Sequence, residues 1–312
     1  MSCLKNSMEN NNNKKLITHD GSFHADDIFA AAAISMMLEK EGKSFEIIRT
    51  RDPEVINTGN KDEKYVFDVG GVYDEEKNLF DHHQKGGAGK GPHNIEYAAF
   101  GLVWKKFGEI IAGGEKEAEV INKRLCVPID AWDNGFDLVE NKYEVKPYYI
   151  QNIFFAMHPT WKEEGVNIDD VFLKCVEMAR MVLSREIIQA KDMVEADEAV
   201  KEAYDSSEDK RIIVLDKNYP FEYILSAFPE PLFAVYPRRT GGNWGVKAIR
   251  VNMGTFNNRK NLPASWAGAG EEELQKITGV EDALFCHRAL FLCAAKSKVG
   301  AVKLAQIAVE SK

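Results

Sequence analysis

The sequence predicts a two-domain α/β protein, with a parallel β-sheet in the N-terminal domain and a smaller α+β C-terminal domain joined to it by a long helix. Its 312 residues are about the length of two domains of ordinary size. Short β-rich runs alternate with helical patterns in the first half, an order typical of parallel sheets. Residues 169–204 contain neither proline nor glycine and carry apolar residues at helical spacing, which indicates one long helix or two in line.

The individual elements follow from hydrophobic periodicity and from the β-branched and aromatic residues of the strands. In the first half we predict strands at 15–18, 45–50, 65–70 and 79–83, and helices at 27–40, 95–111 and 115–124. Strand patterns resume after the long helix at 211–216, 232–237 and 244–252. We therefore expect a disordered tail at 1–14, an N-terminal domain at 15–168, a linker helix at 169–205 and a second domain at 206–312.

Composition excludes several classes of protein. With 40 basic and 49 acidic residues, a net charge of −9, the chain does not coat nucleic acid through bulk positive charge, although a local basic groove is compatible with these counts.

The longest apolar run, residues 29–38, is about half the length of a membrane span. The N-terminus shows no secretory signal, so we expect a cytoplasmic protein that does not bind membranes. Its five cysteines form no Cys-x-x-Cys pair, which argues against a disulfide framework or zinc ribbon.

Four of the seven histidines lie in two tight clusters. His19 and His24 belong to "THDGSFHADD", and His82 and His83 belong to "FDHHQ". Each cluster follows a predicted strand, and ligands of open parallel sheets gather at the carboxyl ends of the strands. We therefore expect the two clusters to converge on one site.

Acidic residues occupy the same kind of position. Asp26 lies in the first histidine motif, Asp68 ends the strand of "YVFDVGG", and Asp130 and Asp133 lie in "VPIDAWDNG". Mixed imidazole and carboxylate ligands suit Mn²⁺ or Mg²⁺, with Co²⁺ or Zn²⁺ as alternatives, and the absence of cysteine weighs against a structural zinc site. Some six ligands are too many for one ion with open positions but enough for two. Two bridged divalent cations hydrolyse phosphate esters or anhydrides, which is the reaction class that these residues predict.

The chain also resembles a known group of enzymes. "DHH" at Asp81–His83, downstream of a histidine-rich motif and a strand-ending aspartate, resembles the DHH phosphoesterase superfamily of RecJ-type exonucleases, family II pyrophosphatases, exopolyphosphatases and nucleotide phosphodiesterases. Together with "THDGSFHADD", "FDHHQ" and "IDAWDNG", the later "NNRKNLPASWAG" and "LFCHRALF" resemble, in order, the melanocyte-proliferating-gene branch. Characterised members of that branch are 3′–5′ RNA exonucleases. The resemblance covers residues 15–310.

The resemblance implies a role for each metal-binding candidate. His19, His24 and Asp26 would form the first metal motif, in which His24 stands where most of the superfamily has aspartate. Asp68 would be the bridging carboxylate and His82 a further ligand. The aspartate of the fourth motif is either Asp130 or Asp133, and the sequence leaves both open.

The remaining candidates are implied to contact or orient the substrate. His83 would face the scissile phosphate, and Asp81 would orient its loop. In the second domain, Arg259 and His287 match the phosphate-contacting pattern of the branch, but "RALFLCAAKSK" replaces a glycine-rich segment after His287. No metal role is implied for two further acids, and we interpret Asp20 as a turn residue and Asp27 as a helix-start acid.

These inferences predict a two-metal phosphodiesterase, a 3′–5′ exonuclease on RNA or short single-stranded oligonucleotides, in which a hydroxide that bridges the metals attacks phosphorus. The expected cofactors are two divalent cations, Mn²⁺ in first place and Mg²⁺ or Co²⁺ as alternatives. One alternative is a small-molecule phosphohydrolase that acts on pyrophosphate, polyphosphate or a nucleotide. Another is a non-catalytic, metal-binding regulatory module. The oligomeric state stays open, with a homodimer as one option.

Overall fold

A computed structural model describes residues 13–59 and 61–311, and the chain divides into two compact units, residues 1–190 and 191–312. Residues 1–12 of the predicted disordered tail lie outside the described residues. The first strand begins at Lys14, the last residue of that predicted tail. The mixed α/β fold class, with a parallel sheet in the first unit, is confirmed.

The sheet of the first unit has five strands in the order β2-β1-β3-β5-β4. The strands are β1 (Lys14–Thr18), β2 (Phe45–Arg49), β3 (Lys64–Phe67), β4 (Tyr73–Asp74) and β5 (Leu79–Phe80). The pairs β1–β2, β1–β3 and β3–β5 are parallel, and only the edge strand β4 runs antiparallel. Because β1, β3 and β5 are adjacent and parallel, their carboxyl ends meet at the same edge of the sheet.

Both faces of this sheet are covered, as parallel sheets require. Leu16 packs into the large core on one face, whereas Ile17 packs with Val66 and Ile56 on the other. The period of two along a strand explains this alternation. The predicted strand at 79–83 ends earlier, at Phe80, so the histidine pair that follows lies beyond the sheet rather than within it.

Seven helices accompany the described part of the first unit. They are α1 (Ala25–Lys40), α2 (Pro53–Asn57), α3 (Ala99–Ala112), α4 (Glu115–Ile121), α5 (Val127–Asp133), α6 (Ile150–Met157) and α7 (Ile168–Ser206). Helix α1 packs against α3, and its run of four alanines at 30–33 is fully buried. A π-helical segment, Asn122–Cys126, joins α4 to α5 without a break. Helix α7 is continuous across the boundary between the two units.

The start of α3 is held by two buried carboxylates. Asp26 of α1 accepts hydrogen bonds from the backbone N–H groups of Ala99, at 2.9 Å, and Phe100, at 2.7 Å. Asp130 of α5 accepts from the N–H of Gly101 at 3.0 Å. The first N–H groups of a helix have no partner within the helix and lie at the positive end of its dipole, so two carboxylates there are favourable. These bonds join α1, α3 and α5.

The second unit is a mixed sheet with helices. Its strands are β6 (Ile212–Val214), β7 (Phe233–Pro237), β8 (Trp244–Ala248), β9 (Ala283–Cys286) and β10 (Leu292–Ala295), in the order β6-β7-β8-β10-β9. Only β6 and β7 pair in parallel. Its further helices are α8 (Glu222–Ser226), α9 (Glu271–Thr278) and α10 (Lys298–Glu310). Helix α10 packs on the sheet through buried residues such as Leu304 and Ala305.

Two further observations concern the described residues only. None of their helices combines the length and the hydropathy that crossing a bilayer requires. The four cysteines among them are buried and not joined in disulfides.

Glycine at position 101 is required by the close approach of Asp130. A Cβ at this position would overlap the Asp130 carboxylate. We therefore expect Gly101→Ala to lower the free energy of unfolding by about 3 kcal/mol, measured by urea denaturation. Gly270→Ala is the control, because nothing lies within 4 Å of a Cβ there, and it should lower the free energy of unfolding by less than about 1 kcal/mol. Equal effects at the two positions would show that α3 does not depend on this contact.

Candidate metal centre

Three adjacent parallel strands deliver the predicted ligands to one place. His19 follows the end of β1, Asp68 follows β3, and the segment Asp81–His83 follows β5. The sheet order places these three strand ends side by side. The expectation that the two histidine clusters converge therefore agrees with the structure.

Asp68 lies at the middle of this arrangement. Its Oδ2 is 3.2 Å from Nε2 of His19, and its Oδ1 is 3.4 Å from Nε2 of His82. The two oxygens of one buried carboxylate thus face histidines from two different motifs. Asp68 has a left-handed backbone with a φ of +56°, which aspartate adopts more readily than most residues. The chain turns sharply here, which the left-handed Gly70 and Gly71 allow.

Overlapping groups of side chains could hold metal ions. The groups are His19, His24 and Asp68; Asp26, His82 and Asp133; and Asp68, Asp81, His82 and His83. In each group the candidate ligand atoms lie within 4.8 Å of one another. Asp130 belongs to none of these groups among the described residues, whereas Asp133 belongs to the second. Of the two fourth-motif candidates, the geometry therefore favours Asp133 as a ligand.

The imidazoles direct ring nitrogens toward the place where a metal would bind. Nδ1 of His19 donates to the carbonyl oxygen of Asp20 at 2.9 Å, which leaves Nε2, the nitrogen that faces Asp68, to bind a metal once it is deprotonated. Nε2 of His82 is buried and has no hydrogen-bond partner. Burial lowers the pKa of His24, which favours the neutral form that binds metals. A cation would supply the missing partner of His82.

The acidic groups repel one another in the absence of a cation. Burial, followed by the charges of Asp133 and Asp68, raises the pKa of Asp26 well above its usual value. Burial and the charge of Asp68 likewise raise the pKa of Asp133 to about 6. Carboxylates that resist ionisation together are stabilised by divalent cations between them. The donor set therefore fits two such ions.

Asp27 has a part in this centre that the sequence did not reveal. Its Oδ1 accepts a hydrogen bond from the N–H of His24 at 2.8 Å, the helix-start role that was expected. Its Oδ2 is buried without a hydrogen-bond partner and lies 3.4 Å from Nε2 of His19. Burial and the nearby Asp68 raise the pKa of Asp27 to about 8. Asp27 therefore joins helix α1 to His19, the first candidate metal ligand.

His83 is held by Asp81 beside the cluster. Asp81 Oδ1 lies 2.7 Å from His83 Nδ1, and Asp81 also accepts hydrogen bonds from the backbone N–H groups of Gly71 and His83. The His83 side chain is 62% exposed, in contrast to the buried His82. The hydrogen bond with Asp81 raises the pKa of His83 above its usual value. These contacts would allow Asp81 to orient the loop, and that role stays a prediction.

A cavity of about 850 Å³ opens onto the cluster and includes His19, His24, Asp68 and His83 in its wall. Several wall residues were not predicted as site residues from the sequence, among them Arg51 and Trp132. Arg51 pairs with the carboxylate of Asp20 at 2.6 Å, and Trp132 precedes Asp133 on the last turn of α5. Asp20, predicted as a turn residue, thus also forms an ion pair with the guanidinium of Arg51 at the rim of the cavity. No motif marks Arg51, and Trp132 lies within "IDAWDNG" without an assigned role, so the fold is needed to show that both reach the cavity.

Arg259 and His287 lie in the second unit. The guanidinium of Arg259 donates to the backbone carbonyl groups of Ser226, at 2.7 Å, and Pro231, at 3.2 Å, and also to that of Phe228. Nδ1 of His287 accepts from the N–H of Ala289 at 3.1 Å. These contacts stabilise the loops of the second unit, and contact of either residue with phosphate stays a prediction.

Comparison with known proteins identifies the family. The sequence profile of the MYG1 exonuclease family, described as uncharacterised protein family UPF0160, matches residues 15–309. This chain belongs to that family. The branch predicted from the sequence motifs is therefore confirmed.

Relatives of the MYG1 exonuclease family are 25–28% identical to this chain over the aligned residues. The MYG1 protein of Dictyostelium discoideum is 28% identical, over 93% of this chain and 94% of that protein. The human MYG1 exonuclease is 25% identical, over 93% of this chain and 84% of that protein. Among solved structures, RecJ of Thermus thermophilus in complex with Mn²⁺ aligns with 96% of this chain and 52% of that chain. Its identity of 12% and TM-score of 0.27 are too low to support an argument.

Substitution of the two fourth-motif aspartates separates their roles. Asp133→Asn should lower the Mn²⁺ bound per chain from two ions to one, because amide oxygen is a weaker ligand than carboxylate. Asp130→Asn should keep both ions, since its side-chain oxygen still accepts from Gly101. Metal content after equilibrium dialysis measures both variants. Loss of an ion from Asp130→Asn alone would reverse the assignment.

Binding of Mn²⁺ should weaken as the pH falls from 8 to 6. Burial lowers the pKa of His19, but the hydrogen bond to Asp68 and the charge of Asp27 outweigh it and raise this pKa above 6.5. The pKa of Asp133 is raised to about 6. Protons therefore compete with the metal in this range, and binding should release them. Calorimetry in two buffers of different ionisation enthalpy measures the release, and a pH-independent affinity without proton release would contradict the assignment.

Proposed function

We propose that the protein is a two-metal phosphodiesterase. The observation that carries this proposal is the position of Asp68, whose two carboxylate oxygens face His19 on one side and His82 on the other. A carboxylate shared in this way suits a pair of cations. His19, His24 and Asp68 would hold one ion, and Asp68 would hold the other together with the second group. That second group consists of Asp26, His82 and Asp133.

The cations, when bound, lower the pKa of a water molecule and neutralise charge on the attacked phosphoryl group. The chain provides a set of ligands whose geometry is held in advance. Asp26 is fixed by the N–H groups of α3, and the carbonyl of Asp20 fixes the ring of His19. Ligands that are already oriented need little reorganisation during the reaction.

His83 provides the proton-carrying group. Asp81 holds it through Nδ1, so that Nε2 is left for the substrate in the cavity. Its raised pKa keeps a larger fraction of the ring protonated at neutral pH than in a free histidine. A protonated ring can donate a hydrogen bond to a phosphoryl oxygen and stabilise the negative charge that develops there.

The finer proposal is a 3′–5′ exonuclease that acts on RNA or short single-stranded oligonucleotides in the cytoplasm, with Mn²⁺ as the preferred metal. Its support is the family match together with relatives whose names state exonuclease. The mixed imidazole and carboxylate ligands support Mn²⁺. Phosphate contact by Arg259 and His287 also belongs to this proposal. A small-molecule phosphohydrolase would use the same metal centre.

The test compares substrates and one variant. With Mn²⁺, the purified protein should release mononucleotides stepwise from end-labelled RNA, whereas phosphate release from pyrophosphate alone would favour the small-molecule enzyme. His83→Ala should lower kcat about 100-fold or more and retain both metal ions. Activity is followed by gel electrophoresis and metal content by dialysis.

His93→Ala is the matched control, because His93 is an exposed histidine that does not line the cavity. Its activity and metal content should equal those of the unmodified protein. Loss of a metal ion from His83→Ala would show that His83 is a ligand rather than a proton donor. Two bound ions with no turnover of any substrate would favour the regulatory module.

A further inference from the structure

The wall of the large cavity contains one tryptophan beside the candidate metal ligands. Trp132 is partly exposed and lies on the last turn of α5, next to Asp133 along the chain. It also lines a second cavity of about 290 Å³, whose wall includes Asp26. An indole in this position has no part in holding metals or in transferring protons.

The Trp132 ring contacts Phe155, which is the centre of a set of aromatic contacts. Phe155 of α6 meets it edge to face, with ring centroids 5.5 Å apart and an interplanar angle of 68°. Phe155 makes similar contacts with His24, at 6.2 Å and 80°, and with His158, at 5.7 Å and 88°. Edge-to-face packing is a favourable arrangement for aromatic pairs. Phe155 therefore connects the indole to the candidate ligand His24.

Helix α6 is itself attached to the metal-binding segment. The buried Gln151 accepts a hydrogen bond from the N–H of Ala25 at 2.5 Å, and Ala25 lies between His24 and Asp26. The ring of His158 packs on Phe23 at 4.1 Å, and its Nε2 lies 3.1 Å from the Phe23 carbonyl oxygen. Trp132 is thus fixed relative to the metal ligands through Phe155 and α6. A ring that is fixed in advance loses little conformational entropy when a ligand stacks on it.

We propose that Trp132 is a stacking platform for the base of the nucleotide whose phosphate lies at the metal centre, and that Phe155 is the positioning residue that holds it. The inference rests on the proposed function and deepens it. A cavity of about 850 Å³ is large enough for a nucleotide and far larger than pyrophosphate needs. Stacking on an aromatic ring accepts every base, which suits an enzyme without sequence preference.

A binding experiment tests the platform without requiring turnover. Affinities for adenosine 5′-monophosphate and ribose 5-phosphate are measured by calorimetry with Mn²⁺ present. The unmodified protein should bind the nucleotide roughly 5- to 100-fold more tightly than the sugar phosphate, the range that base stacking provides. Trp132→Ala should remove this preference and leave the affinity for ribose 5-phosphate unchanged. Trp132→Phe should restore most of it.

Two further variants define the residues involved. Phe155→Ala should reduce the preference to an intermediate value, because the indole stays but is no longer held. Trp161→Ala is the matched control, since Trp161 is 88% exposed and does not line the large cavity, and it should keep the full preference. No preference in the unmodified protein, or equal weakening of both ligands in Trp132→Ala, would overturn the inference.

Hydrolysis separates this inference from the proposed function. RNA and an oligonucleotide that lacks its terminal base are compared as substrates. Trp132→Ala should raise KM for RNA and leave KM for the abasic substrate unchanged. If the unmodified protein bound nucleotides with the stated preference but hydrolysed neither substrate, the proposed function would fail while the platform would stand. Equal effects of Trp132→Ala on both substrates would overturn the platform alone.

Discussion

The N–H groups at the start of α3 hold two buried carboxylates, and the arrangement of the candidate metal centre depends on these hydrogen bonds. Asp26 uses both of its oxygens on Ala99 and Phe100, so its position is determined by the helix rather than by a metal. Asp130 makes the same kind of contact with Gly101 and fixes α5, which carries Asp133. A helix start thus positions ligands that come from two other helices.

The same hydrogen bonds explain how acidic groups can be buried close together. Burying one carboxylate is unfavourable, and a second nearby raises the free energy further. The dipole of α3 offsets part of this cost at Asp26, and His19 and His82 offset part of it at Asp68. The raised pKa values of Asp26 and Asp133 show that compensation is incomplete without cations. The remaining repulsion between these buried carboxylates would be relieved by divalent cations bound between them.

Much of this centre could be predicted from the sequence, because ligands follow strands in parallel sheets. The strand patterns placed His19 after a strand, whereas they placed Asp68 and His82 within strands that end earlier in the structure, at Phe67 and Phe80. The choice between Asp130 and Asp133 could not be made in this way, since residues three apart on one helix lie on the same face. The approach of Asp27 Oδ2 to His19 and the packing of Phe155 on Trp132 are tertiary contacts, which local sequence patterns do not predict. The edge strand β4 has two residues, too few for a periodic signal.

The number of residues in the π-helical segment between α4 and α5 determines how α5 is rotated about its axis. An α-helix turns by about 100° per residue, so one residue more or fewer in Asn122–Cys126 would rotate α5 by that angle. Asp130 would then turn away from α3, and Asp133 would turn away from His82. A surface loop absorbs an insertion, but this uninterrupted helical connection would transmit it to the candidate metal ligands. The geometry of the candidate metal centre therefore depends on the exact number of residues that precede α5, as well as on the identity of the ligands.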